Sequence, residues 1–325
     1  MSLRAVAIFA ILLAGVSVLP GTAADLAPSL AGKRVLWLGD SITSGASYVG
    51  VVEYYLEQRH PELMLDIINV GKSSETTSGL SEKVHPGPRP CVHDRLARAL
   101  ALTRPALVVA CYGMNDGIYH PQSPERLQAF QAGIAKLVAT CTAAGARVVL
   151  LTPPPFDPLP GKGHVVPIDA PDFGYQTPYA DYDRVLGDYA AWEQTLTRSQ
   201  AWVIDLHGPM DAYLAERRAS APGFVLSGDG IHPQGPGQVL MAETILAGLG
   251  APVTGAAADV QAERARLDAD PLFALVMKRC GTRAEAWRTY VAPSGDTAEA
   301  KAAVEAAERT CAELQTQIDG LRRAK

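Results

Sequence analysis

Apolar residues in this chain fall into short, nearly continuous runs separated by longer stretches in which they recur every three or four positions. The run following Arg34 up to Gly39 has the length and apolarity of a strand buried on both faces, and residues 49–58 behind it have helical spacing. The same alternation recurs, with strands expected at 63–70, 106–112 and 147–151 and helices at 89–102 and 124–144. A fifth strand is expected at 203–206. Val108 and Val109 place β-branched residues at the centre of the third strand, Gly145 stands where a helix C-cap needs a glycine, and Pro153, Pro154 and Pro155 end the fourth strand. Alternating βα units with such strands predict an α/β fold, a parallel sheet covered by helices on both faces.

The two ends of the chain break this pattern. Arg4 precedes an apolar stretch at 5–19, Pro20 and Gly21 interrupt it, and Thr22, Ala23 and Ala24 supply small residues, so residues 1–24 read as a cleaved export signal. Its apolar stretch is shorter than the ~20 residues needed to span a bilayer. An exported protein, periplasmic or secreted, with no stable membrane span is therefore expected. Beyond a main domain at 32–250, a Gly-, Ala- and Pro-rich linker at 248–257 leads into a charged, helical extension at 258–325. In its last helix Val304, Ala307, Cys311, Leu314, Ile318 and Leu321 alternate three- and four-residue steps. This short seam is expected to pack on a neighbouring helix, with a dimer bridged by Cys311 as the lesser alternative.

Composition narrows the partners. The 325 residues carry 48% hydrophobic and 19% charged residues, enough for one full domain and an appendage. A net charge of −5 offers no basic field for nucleic acid or anionic lipid. The five cysteines, Cys91, Cys111, Cys141, Cys280 and Cys311, form no CxxC pair and no Cys/His spacing of a zinc site, so no metal or cofactor is expected.

Three fragments carry the chemistry: Gly39-Asp40-Ser41, Gly113-Met114-Asn115-Asp116, and Asp229-Gly230-Ile231-His232-Pro233. The first and second follow strands, and Gly71 follows another, so Ser41, Gly71 and Asn115 fall at the carboxyl rim of the sheet, where open α/β sheets bind ligands. The chain has only two asparagines, Asn69 and Asn115, both within or beside these fragments. A serine hydroxyl becomes a useful nucleophile when an imidazole takes its proton, and a carboxylate holds that imidazole in the right tautomer. Ser41, His232 and Asp229 supply the three groups. Gly228, Gly230 and Pro233 favour a turn that brings the last two together.

In these blocks and their order, the chain resembles the SGNH, or GDSL-type, hydrolases over roughly residues 33–249. The resemblance implies a flavodoxin-like three-layer α/β/α fold with a central parallel sheet. It also implies Ser41 as nucleophile, Asp229 and His232 as its triad partners, and the Ser41 and Gly71 amides with the Asn115 side chain as the oxyanion hole. One departure is visible, since relatives often carry a second glycine three residues after the first, where this chain has Ser74. Asp40 and Asp116 are expected to position the loops. The expected activity is hydrolysis of short-chain, O-acetyl-type esters on a small-molecule or polysaccharide substrate. A lipid-directed acylhydrolase, a periplasmic O-acyltransferase and a non-enzymatic binding protein are the alternatives. Two loops border the site. The segment 156–183 carries Phe173, Tyr175, Tyr179 and Tyr182, which could form a platform for substrate or pack the loop down, and residues 72–89 form the other.

Overall fold

The computed structural model describes residues 31–45, 47–64, 66–160, 164–196, 200–253 and 259–324. The export signal proposed for 1–24 and most of the linker, residues 254–258, lie outside the described residues. Five strands, β1 (Arg34–Gly39), β2 (Asp66–Asn69), β3 (Leu107–Cys111), β4 (Arg147–Leu151) and β5 (Trp202–Ile204), form one sheet in the order β2-β1-β3-β4-β5. Every pairing is parallel, with Val35 opposite Leu107 and Gly39 opposite Cys111. This is the flavodoxin-like order, whose strand ends open onto a ligand crevice at the β1/β3 switch point. The buried strand residues from Val35 to Leu38 and from Leu107 to Cys111 explain why both faces must be covered.

Helices α1 (Ser41–Ser44), α2 (Ser47–Arg59), α3 (Leu96–Thr103), α4 (Pro124–Ala143), α5 (Tyr182–Glu193), α6 (His207–Ser220) and α7 (Pro236–Gly248) complete the three layers. The fifth strand runs Trp202–Ile204 against the expected 203–206, and two expected starts shift further for local reasons. The second strand starts only at Asp66 because Pro61–Leu63 forms a tight 3-10 turn that ends on Met64 in a left-handed conformation. The helix expected from residue 89 starts at Leu96: Arg89 precedes Pro90 and so avoids the helical region, and Val92–Asp94 forms a 3-10 turn ahead of the helix.

Three further helices, α8 (Val260–Asp268), α9 (Pro271–Val291) and α10 (Ala298–Arg323), follow. They do not hang free. Leu272, Phe273, Val276 and Cys280 of α9 continue the main apolar core, and Arg279 reaches back to Glu53 of α2 at 2.8 Å with both side chains buried. Gly50 of α2 leaves the room that Met277 occupies. The seam of α10 packs on α9: Val304, Ala307, Cys311, Leu314 and Ile318 are buried, and Cys311 Sγ lies 3.6 Å from the Arg279 carbonyl. A Cys311 bridge to another chain would require this pair of helices to open. All five cysteines are free, four of them buried. No helix among the described residues is long and apolar enough to cross a membrane.

Candidate active site

Ser41 opens α1, directly after β1. Asp40 caps that helix, its Oδ1 accepting the Ile42 N–H at 2.9 Å, and this fixes the turn on which Ser41 stands. Ser41 Oγ lies 2.8 Å from His232 Nε2, and His232 Nδ1 lies 2.6 Å from Asp229 Oδ2. Asp229 Oδ1 also accepts the N–H groups of Ile231 and His232, so the carboxylate closes its own turn while gripping the ring. Gly230 makes the turn possible. Its φ is +80°, and a Cβ there would meet the Asp157 carbonyl at 2.2 Å, while the Asp157 N–H binds the Gly230 carbonyl at 2.8 Å.

The electrostatics suit a general base. The Asp229 hydrogen bond raises the affinity of His232 for a proton above the ordinary histidine value. Burial pushes the Asp229 carboxyl up, but bonds from the His232 ring and from the His232 and Ile231 N–H groups outweigh it and hold it well below the usual carboxylate range. Asp40 is the opposite case: burial pushes its carboxyl up to about 7 despite the Ile42 bond.

Asn115 sits on the turn after β3, 3% exposed. Its orientation follows from its partners. Arg89 Nη1, which can only donate, is 2.9 Å from Oδ1, and the Tyr119 hydroxyl is 3.1 Å from the same atom. The Nδ2 group is thereby turned toward Asp40, with contacts of 3.3 Å to Asp40 Oδ2 and 3.4 Å to the Glu75 carbonyl. Asp116 ties this turn to the neighbouring loop: Oδ1 accepts the Thr77 and Ser78 N–H groups and the Thr77 hydroxyl, and Oδ2 accepts the Gly113 N–H. Both aspartates thus sit in positioning bonds.

Gly71 departs from its expected place as an open donor. Its N–H donates to Asn69 Oδ1 at 2.9 Å, and a Cβ on it would meet Ser44 N at 2.5 Å, so it serves as a close-packing point behind α1. Asn69 completes that brace by donating to the Thr43 carbonyl at 2.8 Å. Three residues on, Ser74 holds φ +64° without being glycine. Its carbonyl accepts from Arg89 Nη1 at 3.3 Å, the atom that also holds Asn115 Oδ1, so the Ser74 turn and the Asn115 amide share one anchor. The Ser41 and Ser74 N–H groups have no acceptor among the described hydrogen bonds.

The residues missed at the level of sequence are those that hold Asn115. Arg89 and Glu82 form a bidentate pair at 2.6 and 2.5 Å with side chains only 2% and 0% exposed, and the Arg89 guanidinium lies over the Tyr119 ring. Glu82 Oε1 also accepts the Tyr175 N–H at 3.3 Å, linking this brace to the long loop. A lone arginine after a proline- and glycine-rich stretch carries no sequence signal of such a role. The aromatic loop largely packs down: Phe173 and Tyr182 are buried, Tyr182 stacks on Tyr119 at 5.0 Å between ring centroids, and its hydroxyl binds the Met114 carbonyl. Tyr175 remains exposed, edge-on to His85.

A profile of the GDSL-like lipase/acylhydrolase family matches residues 37–240, from within β1 to within α7. The chain belongs to this family. It is thereby a carboxylic ester hydrolase of the SGNH type. Solved structures with the same fold include a gut microbial diltiazem-metabolizing enzyme, with a TM-score of 0.52 and 22% identity. That match covers 70% of this chain and 49% of the other, so this chain spans about half the length of that relative. A catalytic mutant of an acetylxylan esterase from Geobacillus stearothermophilus matches with a TM-score of 0.50 and 20% identity, over 68% of this chain and 95% of that one. No relative is found among curated proteins.

Proposed function

We propose that this chain is an exported serine esterase that removes short acyl groups, O-acetyl above all, from carbohydrate through an acyl-enzyme. The observation that carries the chemistry is the continuous chain from Ser41 Oγ through the His232 ring to Asp229, with steps of 2.8 and 2.6 Å. Ser41 Oγ attacks the ester carbonyl as His232 Nε2 takes its proton, and Asp229 steadies the imidazolium that forms. The proton then passes to the leaving alkoxide, and a water activated by the same imidazole cleaves the acyl-serine. Negative charge on the tetrahedral oxygen is met by the Ser41 N–H, by the Asn115 Nδ2 group as it gives up one of its long contacts of 3.3 and 3.4 Å, and by the Ser74 N–H. The last takes the part expected of Gly71, whose own N–H is already engaged.

The short-acyl, carbohydrate reading is supported by the openness of the site. The side chains of His232 and Asp229 are 39% and 50% exposed, which suits an ester carried on a bulky, hydrated body better than a long chain drawn into an apolar channel. Export rests on the N-terminal pattern of a charged residue, an apolar stretch and small residues. One observation favours the lipid-directed reading instead: Val84, Ile168 and Tyr175 on the two bordering loops are exposed. Hydrolysis of nitrophenyl esters from acetyl to palmitoyl, together with acetyl release from acetylated polysaccharides, separates the two. Activity confined to short esters and lost in Ser41→Ala supports the proposal. A long-chain optimum overturns the substrate assignment, transfer to a sugar acceptor faster than to water replaces hydrolysis with acyl transfer, and full activity of Ser41→Ala overturns the mechanism.

A further inference from the structure

We infer that Asp183, His207 and Asp211 form a binding site for one divalent metal ion at the sheet rim, separate from the triad and linked to the loop that presents Asp229 and His232. His207 and Asp211 stand one turn apart on α6, Asp183 lies in the first turn of α5, and the three ligand atoms lie within 4.8 Å of one another. Three donors that close can be met from one centre at up to ~2.8 Å, from which small side-chain rotations reach the ~2.0–2.6 Å of divalent-ion bonds.

The histidine is what distinguishes this from an ordinary group of surface carboxylates. His207 is only 9% exposed. Its Nδ1 faces the Pro153 carbonyl at 3.3 Å, and a carbonyl only accepts, so Nδ1 carries the proton. This bond fixes the tautomer and turns Nε2 toward Asp183 Oδ2 at 3.8 Å and Asp211 Oδ2 at 3.9 Å. Those gaps are too long for a shared proton, lying well beyond both the usual ~2.7–3.2 Å of an N–H···O bond and the 3.3 Å of the Nδ1 contact. Ligands at the tetrahedral angle on one ion with bonds of ~2.0–2.3 Å stand ~3.3–3.8 Å apart, so these gaps lie at the upper edge of that range and a small rotation of either carboxylate closes them. The free nitrogen of a largely buried ring therefore points at two carboxylate oxygens with no hydrogen bond to either.

The surroundings fit the same purpose. Phe156 N–H donates to Asp183 Oδ1 at 2.7 Å, orienting the carboxylate and leaving Oδ2 for the ion, and the Pro153 carbonyl does the same for the ring. Gly187, one turn after Asp183 on α5, lies beside Nε2, where a Cβ would come into van der Waals contact with that atom at 3.4 Å. One imidazole and two carboxylates favour a borderline cation of the zinc or manganese class. Phe156 precedes Asp157, whose N–H holds the Gly230 carbonyl, so an ion here would stiffen the support of the Asp229–His232 turn.

The test is calorimetric titration of the chelator-stripped chain with Zn²⁺ and with Mn²⁺, alongside thermal melts. One ion per chain is expected, with a rise in Tm, and Asp211→Asn should weaken binding by about tenfold or more, the scale at which ligand and supporting groups act. Asp211 is exposed, so its variant should keep the fold even if His207→Gln does not. Failure of both ions to bind at one per chain, or undiminished binding and stabilisation in Asp211→Asn, would overturn the assignment. The second result would place the ion elsewhere.

Discussion

Replacing Arg89 by lysine separates charge from geometry on the oxyanion side of the site. Lysine retains a positive charge for Glu82, which is fully buried; deleting the charge altogether would strand that carboxylate at a cost of ~3–5 kcal/mol in stability. Lysine cannot reproduce the planar fork that meets Glu82 through Nε and Nη2 while Nη1 holds Asn115 Oδ1. The Asn115 amide then keeps only the Tyr119 hydroxyl on Oδ1 and loses a charge-assisted bond of ~1.5–3 kcal/mol that selects its orientation. Its ceiling is the loss of the donor itself, ~2.7–4 kcal/mol or a factor of ~10²–10³ in kcat. Arg89→Lys should therefore lower kcat about 10- to 100-fold with KM little changed, and Asn115→Ala should reach the ceiling. The assay is steady-state hydrolysis of nitrophenyl acetate by the wild type, both single variants and the double variant. Arg89 acts through Asn115 and, by the same Nη1, through the Ser74 turn, so the double variant should fall below Asn115→Ala by clearly less than the full Arg89→Lys factor. Losses that multiply in the double variant would refute the reasoning.

The protonation of His232 sets the acid limb of activity: the imidazolium cannot accept the serine proton, so kcat/KM should fall as pH drops through a midpoint above the ordinary histidine value of 6.5. Asp229→Asn should move that midpoint down and lower kcat by ~10³–10⁴, and an unmoved midpoint would sever the proposed link. Glu193 is 1% exposed with both carboxyl oxygens unpartnered, and burial raises its pKa well above the usual carboxylate value. Its folded pKa exceeds its unfolded one, so the stability it contributes is whole in acid and is lost as pH rises; Glu193→Gln should raise Tm at pH 8 and change little at pH 4, read by thermal melts. Gly230→Ala should cost ~1–3 kcal/mol by urea denaturation, because φ is +80° and the new Cβ meets the Asp157 carbonyl, and kcat should fall with it as the His232 turn shifts.

The sheet was legible because its signal is local. β1, β3 and β4 are apolar runs whose neighbours differ sharply in periodicity, and β1 and β4 fall where the runs predict. The placement of Ser41, Asn115, Asp229 and His232 was legible for a related reason, since each lies in a short fragment whose residue types only make sense together. What escaped was whatever depends on contacts across sequence. Arg89 and Glu82 are seven residues apart but meet Asn115 and Tyr175 from distant segments. Gly71 shows the same limit: its position after β2 was readable, but the Asn69 side chain that occupies its N–H depends on how the turn closes. The metal-site candidate joins His207 and Asp211 to a residue on another helix, a spacing with no pattern to read.

The loop that follows β2 explains why these hidden contacts matter for the proposed catalysis. Between residues 72 and 95 there is no strand or long helix, so backbone hydrogen bonds alone cannot fix it. Two buried arginine–carboxylate pairs do so instead: Arg89 with Glu82, and Arg95 with Glu75, whose Oε2 also accepts from the Tyr112 hydroxyl at the end of β3. Asp116 adds three backbone and hydroxyl bonds from Thr77 and Ser78. Such pairs stabilise little compared with apolar packing of the same volume, but breaking one is costly, so they make one arrangement of the loop much better than its neighbours. That property is what an oxyanion hole requires, because its donors are effective only when they are aimed before the charge appears. On the proposed mechanism the fold supplies the rim, and the buried ion pairs aim the proposed donors on it.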